Sequence, residues 1–471
     1  MKKLLTLLLA AGMVVSAANG ASAADIKVSG EWWTSFSFTD NLFGKTALVE
    51  DSKDGTGSFN AAQRVRINFD IIASESLSGR VQLQVADGTT APLYQTWGTE
   101  GVGGAGKTVT ARLAYLDWMI PTTDVLVRMG RQVVAMPSYT FGSPIMNDPV
   151  DAIMVNAPIN DMVSVNVGWL RASAMLNKWD VAHEPHSSAD FAYLSVDVAG
   201  DGFKVTPWGM LGLVGNDVSG SYVDDPVAGK KYEGNPGKTN MFGYGNPDEN
   251  ATVYWVGLGG ELTMFDPFKF TADFMYSGND ADGYAKREGW YAALGAEMKL
   301  SMATPFLRGW YASGDDADSK KSGQMLSMYG AGVFDGSAIY YHANGWLAAT
   351  IDRKNPWGTW GVQLGVKDVS FIEDLTHRLS VTYAQGTNNT NRLTSSAWKE
   401  TGITGPSTAD VKYMTTADSM WEIDFITSYK LYKNLTANIL LAYMIPDFDE
   451  SIRTEKFDNG FRGTLNFAYT F

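Results

Sequence analysis

The last eleven residues of this 471-residue chain constrain its fold more than any other segment. Segment 461–471 reads FRGTLNFAYTF, and its aromatic and aliphatic side chains fall on alternate positions. Because successive side chains of a strand point to opposite faces, the segment predicts a strand with one apolar and one mostly polar face. A chain terminus is usually polar and frayed, so an amphipathic strand ending on the aromatic Phe471 requires a structural reason.

This segment resembles the C-terminal strand of Gram-negative outer-membrane β-barrels, whose final aromatic is read by the assembly machinery. An edge strand of a soluble β-sandwich is the alternative. The other terminus favours the barrel, because two lysines precede an apolar run, 4–15, and an A-x-A motif at 21–23. That pattern is typical of a secretory signal peptide over residues 1–23. We therefore expect residues 24–471 to form one barrel in the outer membrane.

Composition agrees with a barrel rather than with helical membrane spans. No later segment has about 18 consecutive apolar residues. The chain holds 49 glycines, 22 Phe, 21 Tyr and 15 Trp but only 19% charged residues and no cysteine. A barrel whose strands alternate lipid-facing and polar lumen residues has this mixed average. The formal net charge of −14 argues against a nucleic acid partner.

Alternating segments recur along the chain, and the connections between them are alternately short and long, as in outer-membrane barrels. Nine long loops and eight short turns predict 18 strands. If the weakest pair, within 151–173, is absent, the count is 16. The expected fold is therefore an all-β, transmembrane antiparallel β-barrel of 16 or 18 strands. The short turns are predicted near 74–78, 120–124, 159–161, 199–202, 265–267, 301–304, 369–374 and 431–434.

A barrel of this size encloses a channel too wide to select solutes unless a segment folds into it. Two motifs, RLAY at 112–115 and GRQ at 130–132, precede a loop from Met136 to Pro149 that contains three prolines. This arrangement resembles the general trimeric porins of Gram-negative bacteria. The resemblance implies that the third loop folds inward, and that Arg112 and Arg131 face the lumen opposite acidic side chains.

The polar strand faces and this resemblance together give a candidate set for the pore constriction. Arginines facing carboxylates across a narrow gap orient polar solutes, and rings of charge set ion preference. The strand pattern alone leaves open whether Arg128 or Arg131 faces inward, because Gly130 could sit at a bulge. The candidates are Arg64, Arg66, Arg80, Arg112, Arg128, Arg131, Asp148 and Asp151.

A finer resemblance is to the outer-membrane homotrimeric porins of sulfate-reducing bacteria. It rests on the chain length, on the opening segment ADIKVSGEW at 24–32 and on RQVVAMPS at 131–138. This resemblance implies a homotrimer.

Amphipathic aromatic residues flank many strands and predict girdles at the two membrane interfaces. A track for sugars inside the pore is the alternative, and it requires aromatic side chains on the polar face. The residues concerned are Trp32, Trp33, Tyr115, Trp118, Trp255, Trp310, Trp357, Trp360, Trp421, Tyr429 and Tyr443.

Three further motifs have simpler explanations than the sites they suggest. Segment 101–108 matches a phosphate-binding loop, but a strand and not a helix follows it, so a glycine-rich outer loop is expected. His183 and His186 are separated by Pro185, which disfavours the helix that would align them for a metal. Loop acids are expected to be solvated, or to bind divalent cations that bridge to lipopolysaccharide.

These patterns predict a porin that lets small hydrophilic solutes and ions diffuse passively, with outer-membrane lipid and lipopolysaccharide as surroundings. A substrate-specific channel for sugars or carboxylates is one alternative. A barrel enzyme or a surface-binding protein with a closed lumen is another, although no Ser-His-Asp set can be placed on one barrel face. We expect no enzymatic activity, no cofactor and no metal site.

Overall fold

A computed structural model describes most of the chain beyond residue 23. The described residues are 24–42, 57–86, 95–98, 102, 108–174, 188–215, 250–281, 286–317, 321–328, 332–341, 353, 355–394, 411–453 and 456–471. The signal peptide predicted at 1–23 lies outside them. His183 and His186 also lie outside, as does most of the glycine-rich segment 101–108.

Eighteen long strands form one closed antiparallel barrel, which confirms the predicted fold class and the higher strand count. A two-residue strand, β4 (Gln95–Thr96), lies beside β2, and one short helix, α1 (Thr390–Thr394), lies in a loop. The long strands are β1 (Asp25–Asp40), β2 (Ser58–Ser74), β3 (Leu77–Ala86), β5 (Thr108–Met119), β6 (Leu126–Ala135), β7 (Asn147–Pro158), β8 (Val163–Ala174), β9 (Ser188–Gly200), β10 (Phe203–Val214), β11 (Ala251–Phe265), β12 (Phe268–Asn279), β13 (Glu288–Met298), β14 (Thr304–Ala312), β15 (Thr359–Ile372), β16 (Leu375–Gly386), β17 (Ser419–Tyr432), β18 (Leu435–Asp447) and β19 (Gly460–Thr470).

The segment that ends the chain closes the barrel. Strand β19 pairs with β18 on one side and with β1 on the other, where Phe36 lies opposite Leu465. Two backbone hydrogen bonds join Phe471 and Gly30, at 2.8 and 3.1 Å. Both edges of the sheet are therefore paired, which removes the unpaired strand edge that an open sheet would present.

The connections follow the predicted alternation. Eight of them contain two to six residues and lie at one end of the barrel, here called the short-turn end. The longer connections lie at the opposite, long-loop end. Strands β7 and β8, the pair that the sequence left in doubt, are joined by residues 159–162 and pair from Asp151↔Arg171 to Pro158↔Ser164.

Side chains alternate between a buried inner face and an exposed outer face. On β17, Glu422 and Asp424 are buried inside, whereas Trp421, Ile423 and Phe425 are exposed outside. Several aromatics predicted for the girdles instead point inward. They are Trp33, Tyr115, Trp255 and Trp310, and Trp357 is buried in a loop. Among the described residues, no helix has the length and apolar character needed to cross a membrane.

Candidate pore constriction

The third long connection, residues 136–146, folds into the lumen as predicted. One of its anchors is the carboxylate of Asp273, on β12 of the opposite wall. This carboxylate accepts hydrogen bonds from the backbone N–H groups of Tyr139 and Thr140, both at 2.8 Å, and from the Ser138 hydroxyl at 3.2 Å. Gly142 has φ +89°, a conformation that residues with a side chain rarely adopt, so the turn inside this loop depends on glycine.

A second connection, between β14 and β15, also folds inward, and the sequence analysis did not predict it. Its described residues are 313–317, 321–328, 332–341, 353 and 355–358, and the segments that fold inward are 321–328 and 332–341. Glu422 of β17 accepts hydrogen bonds from the backbone N–H groups of Ile339 and Tyr340, the latter at 3.1 Å. The Leu326 N–H donates to Ser277 Oγ at 2.8 Å. The sequence does carry a signal for this inward fold. The loop is rich in large apolar residues, which are not expected in number in a loop exposed to water.

The two inward loops are bonded to each other. The backbone N–H groups of Met328, Val333 and Asp335 donate to the carbonyls of Ile145, Ser143 and Phe141, at 3.2, 2.8 and 2.7 Å respectively. We call residues 136–146, 321–328 and 332–341 together the loop pair.

Arg308 of β14 connects both members of the loop pair to the wall. Its guanidinium donates to the Thr140 carbonyl at 2.9 Å and to the Asp335 carbonyl and carboxylate at 3.0 and 3.1 Å. It also donates to Gln363 Oε1 at 3.1 Å. Arg378 also donates to the Asp335 carboxylate, at 3.4 Å and to the same oxygen as Arg308. Bonds between charged groups are stronger than neutral ones, so Arg308 fixes the loop pair to the barrel.

An apolar cluster fills the space between the loop pair and the inner faces of β6 to β14 and β16 to β18. Phe334 lies at its centre, with ring centroids 4.9 Å from Phe141, 5.2 Å from Trp310 and 5.0 Å from Tyr341. Trp255 and Trp310 belong to it and are almost fully buried, which argues against their forming a track for sugars. Among the described residues, β1, β2, β3 and β5 contribute nothing to this cluster.

The inner faces of β1, β2, β3 and β5 form a polar wall instead. Glu31 accepts hydrogen bonds from Arg64 at 2.7 Å and from Arg66 at 3.2 Å. The Arg64 guanidinium also lies 3.2 Å from the centre of the Trp33 ring. Arg66 donates to Gln84 Oε1 at 2.7 Å.

Arg112 joins this wall through an irregularity in strand pairing. Gln82 lies opposite Leu113, and Leu83 lies opposite Ala111, so Arg112 is the extra residue of a β-bulge. Its guanidinium donates to Gln82 Oε1 at 3.0 Å. The predicted acid Asp148 is close enough to interact electrostatically with both Arg66 and Arg112. Four of the predicted residues, Arg64, Arg66, Arg112 and Asp148, therefore come together.

Two other predicted arginines line the lumen separately, each neutralised by an aspartate. Arg80 bonds both carboxylate oxygens of Asp70, at 2.5 and 2.9 Å. Arg128 does the same with Asp117, at 2.6 and 2.8 Å. Both pairs lie toward the short-turn end. That any of these residues forms the narrowest point of the pore stays a prediction.

The structure places Arg131 and Asp151 on the outer face of the barrel, so their expected lumen position is wrong. Their side chains face each other at 3.4 Å and are 46% and 62% exposed, whereas Gln132 is buried. Gly130 has φ +118°, yet the pairing of β6 continues through it without a register shift. Arg128 and Arg131 are three residues apart and therefore face opposite sides.

No protein-family model matches this sequence, and no curated protein matches it. Solved structures do match over nearly the whole chain. Pseudomonas aeruginosa OccK2 (OpdF) gives a TM-score of 0.53 at 11% identity, over 95% of this chain and 97% of that one. Acinetobacter baumannii OccAB3 gives 0.53 at 9% identity, over 95% and 99%. P. aeruginosa OpdK, solved with vanillate, gives 0.52 at 10% identity, over 94% and 98%.

These similar structures are outer-membrane porins of the Occ/Opd group. At such low identity, the likeness establishes the fold alone, a closed 18-strand antiparallel barrel. The finer resemblance to the homotrimeric porins of sulfate-reducing bacteria stays a prediction.

Proposed function

We propose that this protein is an outer-membrane channel that selects among small hydrophilic solutes and favours small carboxylates. The observation that supports this most is the division of the lumen. One side is closed by the loop pair and its apolar cluster, and the other carries Arg64, Arg66 and Arg112. This is the substrate-specific alternative from the sequence analysis, and it replaces the unselective porin as the preferred function.

The charge balance of the polar wall supports a preference for anions. Three arginines face two nearby carboxylates, Glu31 and Asp148, so the group carries an excess positive charge. In a narrow gap with low effective dielectric, an unpaired guanidinium attracts an anion more strongly than it would in bulk water. A carboxylate can accept two parallel hydrogen bonds from one guanidinium, which adds geometric selectivity.

Two observations support an outer-membrane location for the proposed channel. The Occ/Opd barrels that share the fold are outer-membrane channels, and OpdK was solved with a small carboxylate, vanillate. Outer-membrane barrels have short turns on the periplasmic side. The short-turn end of this barrel would then face the periplasm, and the loops would face lipopolysaccharide. The proposal involves no chemical reaction.

Planar-bilayer recording of the purified protein tests the proposal. Small carboxylates and neutral sugars of similar size would be titrated onto single open channels. We expect a carboxylate to reduce the current saturably, with little effect from the sugar. A current that no solute blocks saturably would instead indicate an unselective porin. Absence of conductance from protein with barrel-like, heat-modifiable gel mobility would indicate a closed barrel.

A further inference from the structure

The two carboxylates that anchor the loop pair have different surroundings. The Asp273 carboxylate has both oxygens hydrogen-bonded to the first inward loop, at 2.8 to 3.2 Å. Glu422 holds the second inward loop through two backbone N–H groups, and a second acid lies beside it. This acid is Asp424, two residues further along β17 and on the same inner face. We call Glu422 and Asp424 the carboxyl pair.

The carboxyl pair is buried, and its two side chains contact each other. Glu422 is fully buried, and Asp424 is 3% exposed. Their carboxyl groups lie within hydrogen-bonding distance of each other. Because an ionised carboxylate can only accept, a hydrogen bond between two of them requires a proton on one. Asp424 Oδ1 is buried and accepts no hydrogen bond from any described group.

The arginines around the carboxyl pair are outnumbered by acids. Arg378 on β16 interacts electrostatically with Asp424, but it also bonds Asp335 of the second inward loop, at 3.4 Å. Arg308 bonds the same Asp335 carboxylate. Two arginines therefore serve three carboxyl groups. Ionising all three would leave a net negative charge in a site with little access to water, which is costly.

The other groups that face the carboxyl pair leave this balance unchanged. Uncharged residues lie opposite it on both neighbouring strands, namely Ser380 and Thr382 on β16 and Ala442 and Met444 on β18. Arg462 of β19 is separated from Asp424 by the width of β18 and bonds Thr464. From the loop side, Tyr341 interacts with Glu422, and Arg353 donates to the Tyr340 hydroxyl at 2.8 Å.

We propose that the carboxyl pair is a proton-dependent latch on the loop pair. With one proton on the pair, Asp424 donates to Glu422, and the Glu422 carboxylate accepts the two backbone N–H groups. When that proton is lost to water, two anions lie side by side where their repulsion is weakly screened. The second inward loop then loosens, and the channel widens as pH rises. The latch goes beyond solute selectivity and rests on the open channel of the proposed function.

Single-channel conductance across a pH series, at constant salt, is the first test. We expect the wild-type conductance to rise severalfold from mildly acidic to alkaline buffer. In D424N, the side-chain amide donates to Glu422 at every pH and has no proton to lose. The conductance of D424N should therefore stay low throughout the series, and a wild-type pH response in this variant would overturn the latch.

The matched control for D424N is E261Q. Glu261 is another acid of the lumen wall, and it pairs with Lys269 at 2.6 Å, nearer the short-turn end. We expect E261Q to keep the wild-type pH response. Loss of the response in E261Q as well as in D424N would mean that the charge of the whole lumen, and not the carboxyl pair, sets the conductance.

A cysteine reporter follows the latch without any current, because the chain has no cysteine of its own. Ala338 adjoins the anchored N–H group of Ile339 and is 5% exposed. Ala62 on β2 is equally buried, at 6%, and serves as the reference. The ratio of the reaction rates of A338C and A62C with a methanethiosulfonate reagent removes the general effect of pH on thiols. We expect this ratio to rise severalfold in alkaline buffer, and D424N to abolish the rise.

The two measurements distinguish the latch from the proposed channel. A rate ratio that is constant across the pH series would overturn the latch, whatever the conductance. A ratio that rises with pH in protein that never conducts would support the latch and overturn the channel.

E422Q takes the place of D424N if heat-modifiable gel mobility shows that D424N is not folded. It leaves one side-chain carbonyl oxygen for the two backbone N–H groups and removes one acid of the pair. We expect A338C to react rapidly at every pH in this background. A pH response that E422Q retains would overturn the latch.

Discussion

The two sides of the lumen are built from the same kind of alternating strand, yet they use their polar side chains differently. On the loop side, the carboxylates of Asp273 and Glu422 accept backbone N–H bonds and fix loops in place. On the polar wall, the Glu31 carboxylate is shared by two arginines and bonds no loop among the described residues. Where acids anchor loops, the lumen is filled. Where arginines outnumber acids, the lumen wall keeps a charged surface that a solute can contact.

Loosening the loop side should produce the largest change. In R308M, the guanidinium that bonds Thr140, Asp335 and Gln363 is absent, and the Asp335 carboxylate keeps only its longer contact to Arg378. The Asp335 side chain is 35% exposed, so the loss is smaller than the roughly 3–5 kcal/mol expected for a fully buried charged pair. We expect a severalfold rise in single-channel conductance and passage of larger sugars in liposome-swelling assays.

The matched control for R308M is K367M. Lys367 lies on the same side of the barrel and pairs with Glu297 at 2.7 Å, away from the loop pair. This variant should conduct like the wild type. Equal conductance of R308M, K367M and wild type would show that the loop pair does not limit flow.

The next largest effect is on stability at low pH, and it arises from an ion pair in the loops at the long-loop end. Asp418 and Arg453 form a buried pair at 2.8 Å, and the Thr415 N–H and hydroxyl also donate to Asp418. Burial alone would raise the pKa of Asp418, but these donors bring its pKa below the usual value. The pair therefore stabilises the fold above the usual carboxyl pKa, and this stabilisation is lost as pH falls through the lowered pKa.

Heat-modifiable gel mobility across a pH series measures this contribution. D418N should unfold at a lower temperature than the wild type near neutral pH, and the difference should shrink in acid. A difference that stays constant across the series would mean that the ionised pair contributes nothing.

On the polar wall, E31Q should change selectivity and leave conductance nearly unaltered. It removes the only acid that bonds Arg64 and Arg66 in the described part of the wall, so the excess positive charge increases. We expect the reversal potential in a salt gradient to move toward that of chloride. E31D keeps the charge and serves as the control. A shift in the opposite direction would mean that these arginines do not face the permeation path.

The smallest effect is expected from W33L. The Trp33 ring supports the Arg64 guanidinium through a cation–π contact worth about 0.5–2 kcal/mol. Losing it should weaken carboxylate block a few-fold, as measured by titration on single channels. W32L, one residue away on the outer face, should leave the block unchanged. If W33L and W32L block alike, Trp33 has no role in solute binding.

The sequence predicted the features that repeat along the chain and missed those that depend on distant contacts. Alternation and turn residues located the closing strand, all eight short turns and the β7–β8 pair, because these are local. The third loop was found through its resemblance to known porins. The second inward loop has no periodicity, and its anchor, Glu422, lies 83 residues from Ile339. Arg131 was placed in the lumen by the resemblance to known porins; the structure has no register shift at Gly130, so alternation along β6 puts Arg128 inside and Arg131 outside.

The most direct test of the central claim is the reversal potential of single channels in a salt gradient. It would compare the wild type with the triple variant R64Q/R66Q/R112Q, which keeps the size and polarity of the wall. We expect an anion-selective wild type and a triple variant shifted toward cations, with conductance steps of similar size. A cation-selective wild type, or a triple variant with an unchanged reversal potential, would contradict the role of the polar wall.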